Sequence, residues 1–346
     1  MKIGFTGDIH VDKNKNLPFI IDCCKWIGDE CVRQGIKLLI VAGDFANNRY
    51  RLDVYALNKM LDIVSYWNDL GLSIVFLLGN HELYHNQNLV EENEITSIKV
   101  FKKHCKVVER FECVEIAKTH LFFVPWMENK ELFVETINQC TNSLDKDTHA
   151  ILISHQELKG SIMNDLAHTC DTTGIDTAIL EPFDMCFFGH YHTRQRVSHN
   201  VWYLGSPVML NFGDGIEPKG LTMYDTKTRE VGFAEYPQYM KYITLPNDIN
   251  YINELIEKKQ FEVSRFVRIM DNIDQGQKTE LTNLLIEHGA LDVVFQPSKA
   301  EKTSVDICID SYKNLHEIIQ EFVGKNTNTL DKERLVNTAN ELMEME

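Results

Sequence analysis

Positive charge is what this chain has least of. Its 346 residues hold 35 lysines and arginines against 51 aspartates and glutamates, a formal net charge of −16. A simple DNA-binding module draws most of its affinity from basic side chains on phosphate, so this balance excludes one. If nucleic acid is the substrate, local basic patches, metal ions or a partner must overcome the net field. The nine cysteines contain no CxxC pair. That excludes a zinc knuckle, and with the odd count it argues for reduced thiols rather than a disulfide frame. No apolar stretch approaches the length needed to span a bilayer. The opening "MKIGFTGDIH" goes straight into a strand pattern, without the basic and apolar regions of a secretory signal. A cytoplasmic protein is expected. Internal repeats and low-complexity segments are missing too, and the length suggests about two domains.

What is present is a repeated alternation. Short β-rich runs end in a Gly-containing polar tip and lead into a helical pattern: "KIGFTGDIH" before Phe19 to Gln34, "KLLIVAGDF" before Leu52 to Leu70, then "SIVFLLGNHE". The continuous apolar runs Leu38–Ala42 and Ile74–Leu78 suit strands covered on both faces. Further along, "VEIAKTHLFFVPW", "HAILISHQ", "MCFFGHYH", "VWYLGSP" and "LTMYDTKTREVGFAEY" are strands with shorter connections, closer to a second sheet. The expected fold is α/β, a two-sheet β-sandwich flanked by helices. A boundary near Pro237–Pro246 separates residues 1–240 from a compact α/β unit, 241–300. Residues 301–346 read as a linker and a helical tail, whose apolar positions Leu315, Ile318, Ile319 and Phe322 share one face.

The polar residues fall at strand ends. Asp8 and His10 close the first strand, Asp44 the second, and Asn80 with His81 the third; His155 closes a later one, and His190 and His192 another. In an open α/β sheet, ligands collect beyond the carboxyl ends of strands. Seven oxygen and nitrogen donors from five strands can therefore meet in one crevice. Residues two apart on an extended strand face the same side, so Asp8/His10 and His190/His192 can each act as a pair. Gly7, Gly43, Gly79 and Gly189 precede them and permit close backbone approach. Imidazole and carboxylate without thiolate suit manganese, iron or zinc. Two such ions about 4 Å apart need a shared ligand, for which Asp44 is the choice. Any one of these histidines alone reads as a core or surface residue; the set of seven does not.

In order, "DIH" (8–10), "GDF" (43–45), "GNHE" (79–82), "SHQ" (154–156) and "GHYH" (189–192) resemble the motifs of the calcineurin-like metallophosphoesterase family over roughly residues 1–236. The resemblance implies that Asp8, His10 and His192 hold one divalent ion and Asn80, His155 and His190 the other, with Asp44 between them. Manganese is the implied metal, with magnesium as the alternative. It further implies that His81 acts on the phosphate, stabilising charge or protonating the leaving oxygen, and that Glu82 orients His81 through a hydrogen bond.

Within the family, the whole-chain plan resembles the SbcD-type nuclease subunit of SbcCD recombination and repair complexes, bacteriophage versions included. Pro125-Trp126, "GSP" at 205–207, the small α/β cap and the tail carry that likeness. It implies a manganese-dependent DNA exo- and endonuclease that hydrolyses phosphodiesters with a two-metal-activated water. The implied partners are DNA, an SbcC-like ABC-type ATPase gripped by residues 312–346, and a second copy of the chain in a heterotetramer in the cytoplasm (the host's, for a phage protein). Helical surface near residues 52–70 and 86–104 is the expected place for the second copy. The catalytic loops are also locally basic. Lys13, Lys15, Arg49, Arg51, Arg194 and Arg196 are expected at the rim of the crevice, facing a phosphate backbone. Two other readings remain: a phosphodiesterase for a small substrate, against which the cap and tail argue, and a non-catalytic scaffold, against which seven intact donors argue.

Overall fold

A computed structural model describes residues 1–49, 51–83, 96–116, 118–144, 149–164, 169–214, 217–237, 240–259, 265–270 and 274–296. The tail, the linker, His85, His168, His316 and part of the 86–104 surface lie outside these residues. Strands and helices are numbered along the chain.

Two six-stranded sheets face each other. The first runs in the order β14 (Glu230–Glu235), β13 (Gly220–Asp225), β1 (Lys2–Thr6), β2 (Leu38–Ala42), β3 (Ser73–Leu77) and β4 (Lys106–Val108). The second runs β11 (Gln195–Arg196), β12 (Val201–Tyr203), β10 (Met185–Gly189), β7 (His149–His155), β6 (Thr119–Val124) and β5 (Glu112–Ile116). β1 to β4 are mutually parallel, as are β6, β7, β10 and β12.

Period-two alternation explains why β2 is apolar throughout. Leu38, Ile40 and Ala42 point into the space between the sheets, where they meet Ile151, Ile153 and Phe187. Leu39 and Val41 point the other way, onto α1 (Leu17–Arg33) and α2 (Val54–Asp69). Stacking of Phe5 on Phe187, with ring centroids 4.2 Å apart, ties the two sheets at their centre. The outer face of the second sheet is covered by α3 (Lys130–Asn142), through Phe133, Ile137 and Cys140. Asp53 starts α2 by accepting from the Tyr55 and Ala56 amides at 2.8 and 3.2 Å, as an N-cap does. A small hairpin, β8 (Ile162–Asn164) with β9 (Thr169–Cys170), decorates the loop after β7.

A three-stranded sheet follows, in the order β15 (Lys241–Pro246), β16 (Arg265–Met270), β17 (Ala290–Gln296), with α4 (Ile249–Glu257) and α5 (Gln275–Glu287). It has its own core of Leu245, Ile252, Val267, Ile269, Leu281 and Leu285. Phe266 leaves that core and joins the main one beside α1. Lys15 reaches Asp292 at 2.6 Å. None of the helices among the described residues is long and apolar enough to cross a membrane.

Candidate metal centre

Because the central strands are parallel, their carboxyl ends open on one side, and the loops that follow them meet there. Most of the strands stop short of their donors: β1 ends at Thr6, two residues before Asp8, and β10 at Gly189, while β7 runs through His155. Asp8 and His10 are therefore not paired by extended geometry, as the sequence suggested. Both have left-handed backbones, with φ of 51° and 52°, as do Asp44 at 52° and His190 at 107°. Such φ values cost a non-glycine residue roughly 1–3 kcal/mol and persist only where surroundings enforce them. Here the enforcing contacts are Asp8 N to Gly43 O at 3.1 Å, His10 N to Asp44 O at 2.9 Å and His190 N to the Asp8 carboxylate at 2.9 Å.

Two glycines make the crowding tolerable. A Cβ on Gly43, at φ +89°, would sit 2.3 Å from His155 Nδ1, and one on Gly189 would sit 2.2 Å from the Ala42 carbonyl oxygen.

All seven donors named from the sequence come together. His10 Nε2 lies 3.1 Å from His192 Nε2 and 3.6 Å from Asp44 Oδ2. On the other side of Asp44, His155 Nε2 is 3.4 Å from the same Oδ2 and 3.0 Å from the Asn80 side-chain amide, which is 3.3 Å from His190 Nδ1. Asp8, His10 and His192 can place one donor atom each within 4.8 Å of one another, and so can Asp8, Asp44 and His155. His81 approaches from the crevice, edge-on to His10 at 4.7 Å, with its amide donating to Asp44 Oδ1 at 2.9 Å.

The ring nitrogen that faces the centre is set by what the other one meets. His155 Nδ1 points at the Ala42 carbonyl, 2.8 Å away, leaving Nε2 inward. His192 Nδ1 is 3.2 Å from Asp214 Oδ1. His190 turns Nε2 toward Glu157, 3.6 Å away, and stacks on Trp126. His10 Nδ1 is buried and has no hydrogen-bond partner among the described residues.

Electrostatics agree with a cation-binding set. Burial, reinforced by the charge of Asp44, pushes the Asp8 carboxyl up to about 6. Burial drives His10 down to about 3, so its imidazole is neutral, the form that ligates a metal. Burial opposes charge on His155 too, but Asp44 and Asp8 outweigh it and lift the pKa to about 9, so without a metal this imidazole carries the proton that ion binding would release. Burial would also raise Asp44; the surrounding histidines, His155 first, hold it far below the ordinary carboxylate range. Buried carboxylates facing imidazole nitrogens at 3.4–3.6 Å are a donor set that fits divalent cations.

Comparison with known proteins agrees with this geometry. Residues 1–194 match the calcineurin-like phosphoesterase family. The chain belongs to that family. Members use divalent metals, and this phosphoesterase shares 27% identity over 239 residues with exonuclease subunit 1 of Enterobacteria phage T4, covering 67% of each chain. It is 25% identical over 345 residues to a phosphoesterase of Invertebrate iridescent virus 3, covering 97% of this chain and 95% of that one. Among solved structures, a dimetal phosphatase from Danio rerio aligns at 10% identity with a TM-score of 0.42, covering 64% of this chain and 91% of that one.

Two expectations about this phosphoesterase need correction. Glu82 does not orient His81. Its fully buried carboxylate accepts from the amides of Asp44 (2.8 Å), Gly79 (2.8 Å) and Ala46 (3.1 Å), which binds the GD loop to the GNH loop. Burial, then the charge of Asp44, pushes that carboxyl up to about 8. The Asn47 carbonyl holds His81 instead, 2.5 Å from Nδ1.

The basic rim is the second. Arg194 lies between the rings of Trp202 and Phe233, at 4.7 and 4.2 Å, and Arg196 follows it onto Trp202, because Arg194 immediately precedes the edge strand β11 and Arg196 ends it. Lys13 pairs with Asp53 and Lys15 with Asp292. The Arg49 guanidinium comes within 2.8 Å of the Asn80 amide, and Arg51 is exposed. The crevice of about 300 Å³ is lined by Asn14, Asn16, Asn47, Asn80 and Asn211 beside the histidines, and Arg49 reaches it through Asn80, whereas Arg194 and Arg196 are held on aromatic rings.

Proposed function

We propose that the chain is a metal-dependent DNA nuclease that hydrolyses phosphodiesters at a two-ion centre. Asp8, His10 and His192 would hold one ion and Asn80, His155 and His190 the other, with Asp44 shared. The observation that carries this reading is the convergence of six donors on a seventh, Asp44, all from five strand ends. When bound, the ions supply Lewis acidity: they activate water for attack and offset charge on the phosphoryl oxygens. His81 does the rest from the open side. Its Nδ1 stays on the Asn47 carbonyl, so Nε2 is the nitrogen that stabilises the phosphate or hands a proton to the leaving oxygen.

The name of the phage T4 relative, an exonuclease subunit, supports a nucleic-acid substrate and a multi-subunit assembly. We take manganese as the metal and an SbcC-like ATPase as the partner, gripped by residues 312–346. Residues 1–240 form the nuclease domain and 241–300 a cap over DNA, in a homodimer acting in the cytoplasm. The deciding experiment incubates the purified chain with linear DNA and manganese, with and without a co-expressed ATPase. Manganese-dependent release of nucleotides is expected; its absence under both conditions ends the nuclease reading.

Metal binding has an effect of its own on stability. Manganese at about 100 times its Kd should raise the unfolding free energy by about 2.7 kcal/mol, and a chelator should reverse the shift. Thermal melts of the wild type and of Asp44→Ala measure this, with the shift lost in the variant. Asp214→Ala removes the carboxylate behind His192 and should weaken manganese binding about 10- to 100-fold, read by isothermal titration.

A further inference from the structure

The segment that carries Asp214 is clamped by the three-stranded unit. Between Val208 and Asp214 the chain makes a compact turn. Leu210 N donates to Asp214 Oδ2 at 2.6 Å, Gly213 N to Asn211 Oδ1 at 2.6 Å, and Asp214 N to Asn211 O at 3.3 Å. Phe212, near the tip of the turn, projects onto β15 and β16. Its ring meets Tyr242 edge-on, with centroids 5.0 Å apart at 81°, and the Arg268 guanidinium lies 4.2 Å from its centre. Tyr242 in turn stacks on Phe266 at 4.6 Å and 13°, and its hydroxyl accepts from Asn16 Nδ2 at 3.2 Å. Phe266 is 6% exposed and belongs to the main core, so this clamp has a rigid back wall.

His192 is held in two separate ways. Its carbonyl accepts from Lys219 Nζ at 2.7 Å, a buried ammonium that also meets Ser206 and Glu217. That contact fixes the main chain. The rotation of the ring is left to Asp214, whose position depends on the turn. A carboxylate behind a ligating imidazole fixes which nitrogen faces the metal and in what direction.

We infer that Phe212 is a positioning residue: gripped by Tyr242 and Arg268, it holds the turn that sets Asp214 and through it the His192 ring. This rests on the two-ion reading above. Tyr242 and Arg268 then belong functionally to the metal centre, although both act on it only through Phe212. The grip also explains why an aromatic ring stands in an otherwise polar turn, "NFGDG".

The test is isothermal titration of the full-length, metal-free chain with manganese chloride, with the spectrum of the bound ion recorded by electron paramagnetic resonance. Phe212→Ala should weaken binding at one of the two sites about 10-fold and alter that site's spectrum. Phe212→Tyr, which keeps the ring in the clamp, should restore both. Because Phe212 acts through Asp214, adding Phe212→Ala to Asp214→Ala should change nothing further, the non-additivity of residues on one path. Should Phe212→Ala melt far below wild type without metal, Arg268→Met opens the clamp from its other side and carries the same comparison. Wild-type affinity in both variants, or additive losses in the double variant, overturns the inference while leaving the two-ion reading intact. A wild-type chain that takes up no manganese removes both.

Discussion

Glu82→Ala should lower the unfolding free energy by roughly 3–9 kcal/mol and abolish hydrolysis. The carboxylate satisfies three buried amides, those of Asp44, Gly79 and Ala46. A buried donor left without an acceptor costs about 1–3 kcal/mol, so three of them are a large fraction of a domain's stability. Activity falls with it because Asp44, at φ 52°, keeps that backbone only while its amide is held. Glu82→Gln separates this account from a charge effect on His81. Its oxygen can take the place of Oε2 and serve Asp44 and Gly79, while the amide nitrogen deserts Ala46. A loss of about 1–3 kcal/mol with much of the activity kept is expected. Urea unfolding together with hydrolysis of a chromogenic phosphodiester gives both quantities. Wild-type stability with lost turnover would show that Glu82 acts by charge.

His81→Ala should do the opposite: the fold stays, metal and DNA binding stay, and turnover falls about 100-fold or more, the scale of a lost general acid. The ring is only partly buried, and its main-chain contacts do not involve the imidazole beyond Nδ1. Single-turnover hydrolysis of linear DNA at saturating manganese isolates the step. Undiminished turnover would take His81 out of the chemistry.

The donors were legible because they obey local rules. A strand buried on both faces must be an unbroken apolar run, so where "LLIVA" or "MCFFG" stops, the carboxyl end of a strand is marked in the sequence itself. The glycines beside those ends were legible for the same reason. What supports the donors was not. Asp214 sits 22 residues beyond the ring it holds and looks like one more turn residue. The acceptor for His81 is a main-chain carbonyl, which no side-chain pattern announces. Glu82 follows the motif histidine directly, which suggested a partnership; only the approach of two loops 38 residues apart shows where the carboxylate goes. Arg194 and Arg196 misled because a basic run after a ligand looks like a rim, while an edge strand with Arg194 just before it and Arg196 at its end lays both onto Trp202. A strand also hid in the stretch Pro237–Pro246, where the prolines read as a boundary: β15 occupies Lys241–Pro246 and supplies the clamp on Phe212.

The left-handed backbones at positions 8, 10, 44 and 190 set selection for heat resistance against selection for catalysis. Glycine in place of His10 would relax a torsion worth about 1–3 kcal/mol and delete an imidazole whose Nδ1 has no hydrogen-bond partner among the described residues. A library screened only for survival on heating should therefore collect such replacements and return durable, inert chains, whereas one screened for hydrolysis should keep the contorted residues and improve elsewhere.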